Sequence, residues 1–338
     1  MTAERVRVAV AQTVPEFGAV ERNRRRTLEI VRHNADADLV VLPELATTGY
    51  VFESEDELDA LAEPREGETV TAWASVAAET DTRIVGGIAE RVDASAGEPG
   101  EPGEPGEPGE STYYNSAVVV SPDGLEGVYR KVHRWNEEKR WFRAGSELPV
   151  FETPFGRLGV QVCNDQWFPA ATITQARAGA DLIAVPTNWV PNPVVGDGEH
   201  ELRSENGGDD YDDDRLSGWT MGVHQAIAHA DANQVWIACA DRAGTERGTQ
   251  FEGQSVIVGP GELAAGPAPA DGEAVLTADC DLARARDKAL TPRDDALEDR
   301  RPSVYDLQGG SNREEDTDAQ TETPTEAETD GDEASSRR

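Results

Sequence analysis

Apolar and polar residues alternate along RVRVAVAQT (Arg5 to Thr13), the two-residue period of a strand with one face buried. The run DLVVLPE (Asp38 to Glu44) is apolar throughout and closes on a charge, as expected of a strand buried on both faces. Between them, Val20 to Asn34 has helical spacing. TVTAWASVAAET reads as a second helix and RIVGGIAER as a strand. YYNSAVVVSP, a turn at Asp123-Gly124 and LEGVYRKVH predict a hairpin. FGRLGVQVCND (Phe155 to Asp165) predicts a further buried strand, followed by a helix over about Trp167 to Ala178 that stops near Gly179. DLIAVPTNW, a helix over Gly222 to Ala232, VWIACAD, GQSVIVGP and EAVLTADCD complete the pattern. Strands are too frequent, and too often paired as hairpins, for a simple Rossmann repeat. The pattern predicts an α/β protein, a layered sandwich with two sheets.

Three segments break this pattern. GEPGEPGEPGEPGE (97–110) has a collagen-like period but too few triplets for a triple helix, and reads as a solvated insertion. GDGEHELRSENGGDDYDDD (Gly196 to Asp214) reads as a flexible acidic loop, with an active-site lid or a cation site as the alternative. It lacks the ligand and glycine spacing of an EF-hand. The tail from Ser311 to Arg338 is acidic, without large apolar side chains, and cannot bury enough surface to order itself. The expected organisation is one domain over 1–310 and a disordered tail over 311–338.

Charge narrows the function classes. The 338 residues carry 66 acidic and 31 basic side chains, a net charge of −35 that repels phosphate backbones and argues against nucleic-acid binding. Only Lys131, Lys139 and Lys288 are lysines, the other basic residues being arginines. A surface of this kind suits a salt-rich cytoplasm in which self-repulsion is screened, so a halophilic source is expected, with a merely acidic protein as the alternative. No apolar run is long enough for a membrane helix and no signal-peptide pattern opens the chain, which predicts a cytoplasmic protein with no membrane partner. Three cysteines without CxxC or paired spacing make a disulfide scaffold or zinc site an unpromising reading.

Cys163 stands where an apolar strand gives way to a helix, and a helix N-terminus favours the thiolate. Cys239 and Cys280 lie inside apolar strands and read as small buried hydrophobes. A thiol nucleophile needs a base and a donor for its tetrahedral adduct. Glu44, at the end of LVVLPE, would have its pKa raised toward the range of a general base by apolar walls. Lys131 is retained where arginine is otherwise the rule, which calls for a compact donor or a titratable amine.

Taken together, LVVLPELATTGY, YRKVH followed by EEKRWFRAG, and GRLGVQVCNDQWFP resemble the nitrilase superfamily of carbon-nitrogen hydrolases, in the order Glu, Lys, Cys. VRVAVAQT, VGGIAER, YYNSAVVVSPDG, GADLIAVPTNW, ANQVWIACADRAG, FEGQSVIVGPGE and RRPSVYDL extend the likeness over about residues 5–307. The resemblance implies a four-layer α-β-β-α sandwich with two mixed sheets, and a homodimer. It further implies that Cys163 attacks an amide carbon, that Glu44 moves protons, and that Lys131 and the N–H of Asn164 hold the oxyanion. Glu138 in EEKRWF matches a second glutamate of the family, with Glu137 beside it as a competitor. Tyr50, Trp141, Trp167 and Trp189, and also Phe168, are candidate pocket aromatics.

Nitrile-hydrolysing members follow the nucleophile with Trp-Glu, whereas Asn164-Asp165 stands here, so an amide is favoured over a nitrile. CNDQWFP is similar to the corresponding stretch of N-carbamoylputrescine amidohydrolases, but Ala170 replaces their glutamate, and His229 and Asp231 replace the usual Arg and Glu of a later helix. His133, two residues after Lys131, reads as a packing residue. The expected reaction is hydrolysis of a non-peptide C–N bond in a small amide or N-carbamoyl compound, with no metal and no organic cofactor. The rivals are a nitrilase, a glutaminase-type ammonia supplier and a catalytically silent interaction protein.

Overall fold

Alternation in the strands sorts side chains between two cores. Along β1 (Arg5–Gln12), Val6, Val8 and Val10 face one core while Ala9 and Ala11 face another. After helix α1 (Val20–His33), β2 (Leu39–Val41) repeats the division, with Leu39 and Val41 on one side and Val40 on the other. Both strands are therefore covered on both faces: β2 is apolar throughout, whereas β1, whose alternation suggests a single buried face, also buries its second face through Ala9 and Ala11 beyond the two arginines at its start.

The computed structural model describes residues 5–93, 111–191 and 218–305. The Gly-Glu-Pro segment (97–110), the acidic segment (196–214) and the tail (311–338) lie outside the described residues. Residues 1–298 form one compact unit and 299–338 a second, whose described part contains a short 3₁₀ turn at Pro302–Val304. Within the first unit the chain continues through α2 (Glu55–Leu61), α3 (Glu68–Thr80), β3 (Arg83–Val92), β4 (Thr112–Ser121), β5 (Gly124–Arg130), α4 (Glu138–Trp141), β6 (Val150–Glu152), β7 (Arg157–Val160), α5 (Pro169–Arg177), β8 (Leu182–Pro186) and α6 (Met221–Asn233). Then follow β9 (Trp236–Ala240), β10 (Ala243–Glu246), β11 (Thr249–Glu252), β12 (Val256–Gly259), β13 (Glu262–Ala265), β14 (Ala274–Asp281) and α7 (Leu282–Arg286).

Two six-stranded mixed sheets result, in the orders β14-β1-β2-β3-β4-β5 and β13-β12-β9-β8-β7-β6. In the first, β1, β2 and β3 are parallel; in the second, β7, β8 and β9 are, and the outer pairings are antiparallel in both. Ile30, Val31, Val70, Trp73 and Val76 of α1 and α3 cover the outer face of the first sheet. Ala176, Val223, Ala226 and Ala230 of α5 and α6 pack into the core of the second. The expected four-layer α-β-β-α sandwich is the fold observed. No helix of the described residues is long and apolar enough to cross a membrane.

The strand expected over Phe155 to Asp165 is shorter: only Arg157–Val160 joins the ladder. The helix expected from Trp167 begins at Pro169, where a residue without an N–H fits the first turn. A five-residue 3₁₀ turn, Cys163–Trp167, lies between them. The premise that Cys163 opens an α-helix is thus corrected. Local apolar periodicity runs through Gln161 and Val162 without revealing that the ladder has ended.

Candidate active site

In open α/β sheets the carboxyl ends of parallel strands leave side chains free at one edge. Here Glu44 follows β2, Cys163 follows β7, and Asn188 and Trp189 follow β8. β5 runs in the same direction as β3, through the antiparallel β4, and delivers Lys131.

Glu44 and Lys131 are completely buried. Lys131 Nζ donates to Glu44 Oε1 at 2.7 Å and to Glu138 Oε1 at 2.7 Å. Asn115, on β4, donates from Nδ2 to Glu44 Oε1 at 2.6 Å, and Tyr50 donates its hydroxyl to Glu138 Oε1 at 2.5 Å. Glu44 Oε2 has no hydrogen-bond partner among the described residues, so one oxygen is held and the other is free to accept a proton. Gly87 permits the local backbone path: an added Cβ would fall 2.4 Å from Leu45 N and 2.5 Å from Glu44 Cα.

Cys163 adopts φ 46°, left-handed for a residue with a side chain, as does Leu45 immediately after Glu44 at φ 47°. Such conformations cost about 1–3 kcal/mol and persist where the surroundings enforce them. Asp165 does so here. Its Oδ2 accepts the Val162 N–H at 2.8 Å and the Tyr129 hydroxyl at 2.6 Å, and its Oδ1 accepts the His133 N–H at 3.0 Å. His133 Nδ1 also lies 2.8 Å from Asp165 Oδ1, and its ring stacks on Phe168 at 3.8 Å. His133 is therefore a packing and bracing residue, as its sequence context suggests.

Burial raises Glu44 to about 7, against the opposing charge of Lys131 and with help from Glu138. Burial alone would lower the Lys131 ammonium, but the Glu138 and Glu44 carboxylates override it and the group is raised. Burial and the Glu44 charge push the Cys163 thiol well up, opposed by the Lys131 charge and, to a smaller degree, by the main-chain N–H of Asn188. The α-helix end on which the expected thiolate rested is absent at Cys163, and burial favours the thiol.

Two cavities meet at these residues, sharing Trp135 and Val190. One, of about 30 Å³, is lined by Cys163, Asn164, Trp167, Asn188 and Trp189 as well. The other, of about 370 Å³, is lined by Tyr50, Phe52, Glu137, Glu138, Trp141, Phe142 and Gln250 among others. All four proposed pocket aromatics, Tyr50, Trp141, Trp167 and Trp189, thus border one cavity or the other. Phe168 borders neither and is 42% exposed against His133. Glu138 rather than Glu137 turns inward, Glu137 pairing instead with Arg140 at 2.8 Å. Sequence reasoning gave no role to Asn115, Trp135, Asn188 or Asp165. Asn115, Asp165 and Asn188 lie inside segments that carried the family likeness, which was the available signal, whereas Trp135 falls between two of them. Cys239 and Cys280 are buried and free. Among the described residues no group of three His, Cys, Asp or Glu side chains is arranged to hold a metal.

Residues 7–289 match the carbon-nitrogen hydrolase family. The chain is 33% identical over 304 residues to a nitrilase of Pyrococcus abyssi, covering 89% of this chain and 99% of the relative. It is 33% identical over 212 residues to N-carbamoylputrescine amidase of Solanum lycopersicum, covering 58% and 63%. Its fold matches a mutant amidase from Nesterenkonia sp. AN1 that carries the acetamide moiety of fluoroacetamide on its active-site cysteine, with TM-score 0.62, 22% identity, and 88% and 95% of the two chains covered.

Proposed function

The chain belongs to the carbon-nitrogen hydrolase family of the nitrilase superfamily and hydrolyses C–N bonds; from that premise we propose that Cys163 is its nucleophile, Glu44 its general acid and base, and Lys131 its oxyanion donor. The observation that supports this most directly is the buried Lys131 ammonium, which bonds Glu44 and Glu138 and lies near a cysteine that lines a cavity.

Glu44 Oε2 takes the Cys163 proton as sulfur attacks the carbonyl carbon, so the nucleophile is activated only when substrate is present. The C=O electron pair moves onto oxygen, where the Lys131 ammonium and the Asn164 N–H receive it. Collapse breaks the C–N bond while Glu44 returns its proton to the departing nitrogen, which leaves as ammonia or amine. Water then attacks the thioester carbon and gives a proton to Glu44. The second adduct expels the sulfur, which recovers that proton. One water is consumed per bond cleaved, and Glu138 keeps Lys131 charged and oriented throughout.

The substrate proposed is a small amide or N-carbamoyl compound, with the aromatic rings of Tyr50, Trp141, Trp167 and Trp189 as its walls. The solvent-facing chemistry of a chain with net charge −35 favours a salt-rich cytoplasm and a halophilic source, and the family likeness favours a homodimer. Ammonia release from a panel of amides, N-carbamoyl compounds and nitriles at high salt tests the reaction. Turnover of amides or carbamoyl compounds that disappears in Cys163→Ala and Cys163→Ser, with both variants folded, is expected. Ammonia release retained by either variant would overturn the mechanism, and turnover of nitriles alone would favour the nitrilase reading.

A further inference from the structure

Tyr50 approaches Glu138 from a segment that a second buried ion pair holds in place. Glu246 Oε1, at the end of β10, accepts the main-chain N–H of Tyr50 at 2.8 Å and that of Val51 at 2.7 Å. Its other oxygen, Oε2, pairs with Arg242 Nη1 at 2.7 Å, the two side chains being 1% and 4% exposed for Arg242 and Glu246 respectively. Arg242 is itself anchored, with Nη2 donating to the Pro15 carbonyl at 3.1 Å and its guanidinium 4.0 Å above the Phe251 ring. That ring meets Tyr50 edge-on at 5.9 Å. Gly49 makes room for the carboxylate: at φ 85° it has a conformation natural to glycine, and an added Cβ would lie 2.6 Å from Glu246 Oε2. Arg247 donates to the Val51 carbonyl at 3.0 Å and pairs with Glu57, which secures the other side of the segment.

A buried ion pair is in itself weak evidence of a stabilising role, because a well-packed apolar pair of similar volume often serves as well or better. Its distinctive product is the placement of one tyrosine. We propose that Glu246 is a positioning residue: by holding the Tyr50 main chain it aims the phenol at Glu138 Oε1, the oxygen that also receives Lys131, and so sets how the ammonium is shared between Glu138 and Glu44. Glu246 borders neither cavity and touches no reacting group. The inference rests on the reading of Cys163, Glu44 and Lys131 given above.

The consequence follows from hydrogen-bond competition. Without the tyrosine hydroxyl, Glu138 draws harder on Lys131, the Lys131–Glu44 bond weakens, and Glu44 keeps its proton to higher pH. The groups acting on Glu44 are Lys131, Glu138 and Asn115, with Cys163, Tyr50 and Asp241 close enough to interact. The charged neighbours of Glu246 are Arg242 and Arg247.

The experiment compares the full chain with Tyr50→Phe, Glu246→Asp and the double variant, using the amide or carbamoyl compound that the unmodified chain hydrolyses fastest. Glu246→Asp keeps a negative charge opposite Arg242 but is too short to reach both N–H groups, so the fold has its counter-ion. Each single variant is expected to lose roughly 10- to 100-fold in kcat, the scale of a small misplacement of reacting groups, with the acid limb of kcat/KM moved to higher pH. The double variant is expected to be no slower than the slower single. A double variant whose loss is the product of the two single losses would overturn the proposal. So would a Glu246→Asp variant that loses thermal stability while keeping the original kcat and acid limb. An unmodified chain that hydrolyses nothing in the panel would instead sink the functional reading on which the inference rests.

Discussion

Lys131 Nζ and Glu44 Oε1 lie 2.7 Å apart with both side chains wholly buried, and the same ammonium sits 2.7 Å from Glu138 Oε1. Two carboxylates therefore share one buried cation. Removing one partner of a buried pair costs about 3–5 kcal/mol, because the remaining charges lose their compensation. Lys131→Ala is expected to lower unfolding stability by about that amount and to abolish turnover. Urea denaturation alongside an ammonia assay checks both, and an unchanged midpoint would mean that the carboxylates are not held apart by the lysine.

Glu44 must be ionised to accept a proton, and burial holds it near 7. The acid limb of kcat/KM is accordingly expected near pH 7, with activity rising as pH increases through it. Glu138 is one of the charges that raise Glu44, so Glu138→Gln is expected to shift this limb to lower pH while reducing the maximum rate. A limb that stays put or moves upward would show that Glu138 does not act on Glu44 through charge. Since the folded-state value lies above the unfolded one, this group's stabilising contribution is present below its unfolded pKa and is lost as pH rises toward 7.

At Gly87, β3 passes against the backbone of Glu44 and Leu45. A methyl group there would meet Leu45 N at 2.4 Å, too close for any heavy atom. Gly87→Ala is expected to cost about 1–3 kcal/mol by overpacking and to displace Glu44 from Lys131. A variant with unchanged thermal midpoint and kcat would refute this account of the glycine.

Asp165 gathers the Val162 and His133 N–H groups and the Tyr129 hydroxyl on two oxygens. An amide at this position sets an NH₂ against at least one of these donors. Asp165→Asn is expected to cost about 1.5–3 kcal/mol, the worth of hydrogen bonds to a charged group, and to relax the backbone of Cys163. A matching loss of kcat and slower alkylation of Cys163 would be the measured signs; native kinetics would exclude the brace.

Charge repulsion across a surface of net −35 is screened as salt rises, the Debye length falling from about 10 Å at 0.1 M to about 3 Å at 1 M. The thermal midpoint and the activity are expected to increase between dilute buffer and molar KCl. Lower values in salt would remove the basis for a halophilic source.

Neighbouring residues alone determined the alternation in β1, the spacing in α1, the hairpin turn at Asp123-Gly124 and the local settings of Glu44, Lys131 and Cys163, because periodicity and turn chemistry act within a few positions of the chain. The short helices α2, α4 and α7 left no comparable signal, since one or two turns draw their stability from packing. Contacts between distant segments were decided only in three dimensions. Glu44 and Lys131 are 87 positions apart, and Tyr50 and Glu246 are separated by 196. Tertiary packing also changed the expectation for Cys163: its local context suggests a helix end that favours a thiolate, whereas a 3₁₀ turn stands there and burial beside Glu44 favours the thiol. Burial and long-range charge set that balance, and both depend on which strands lie side by side.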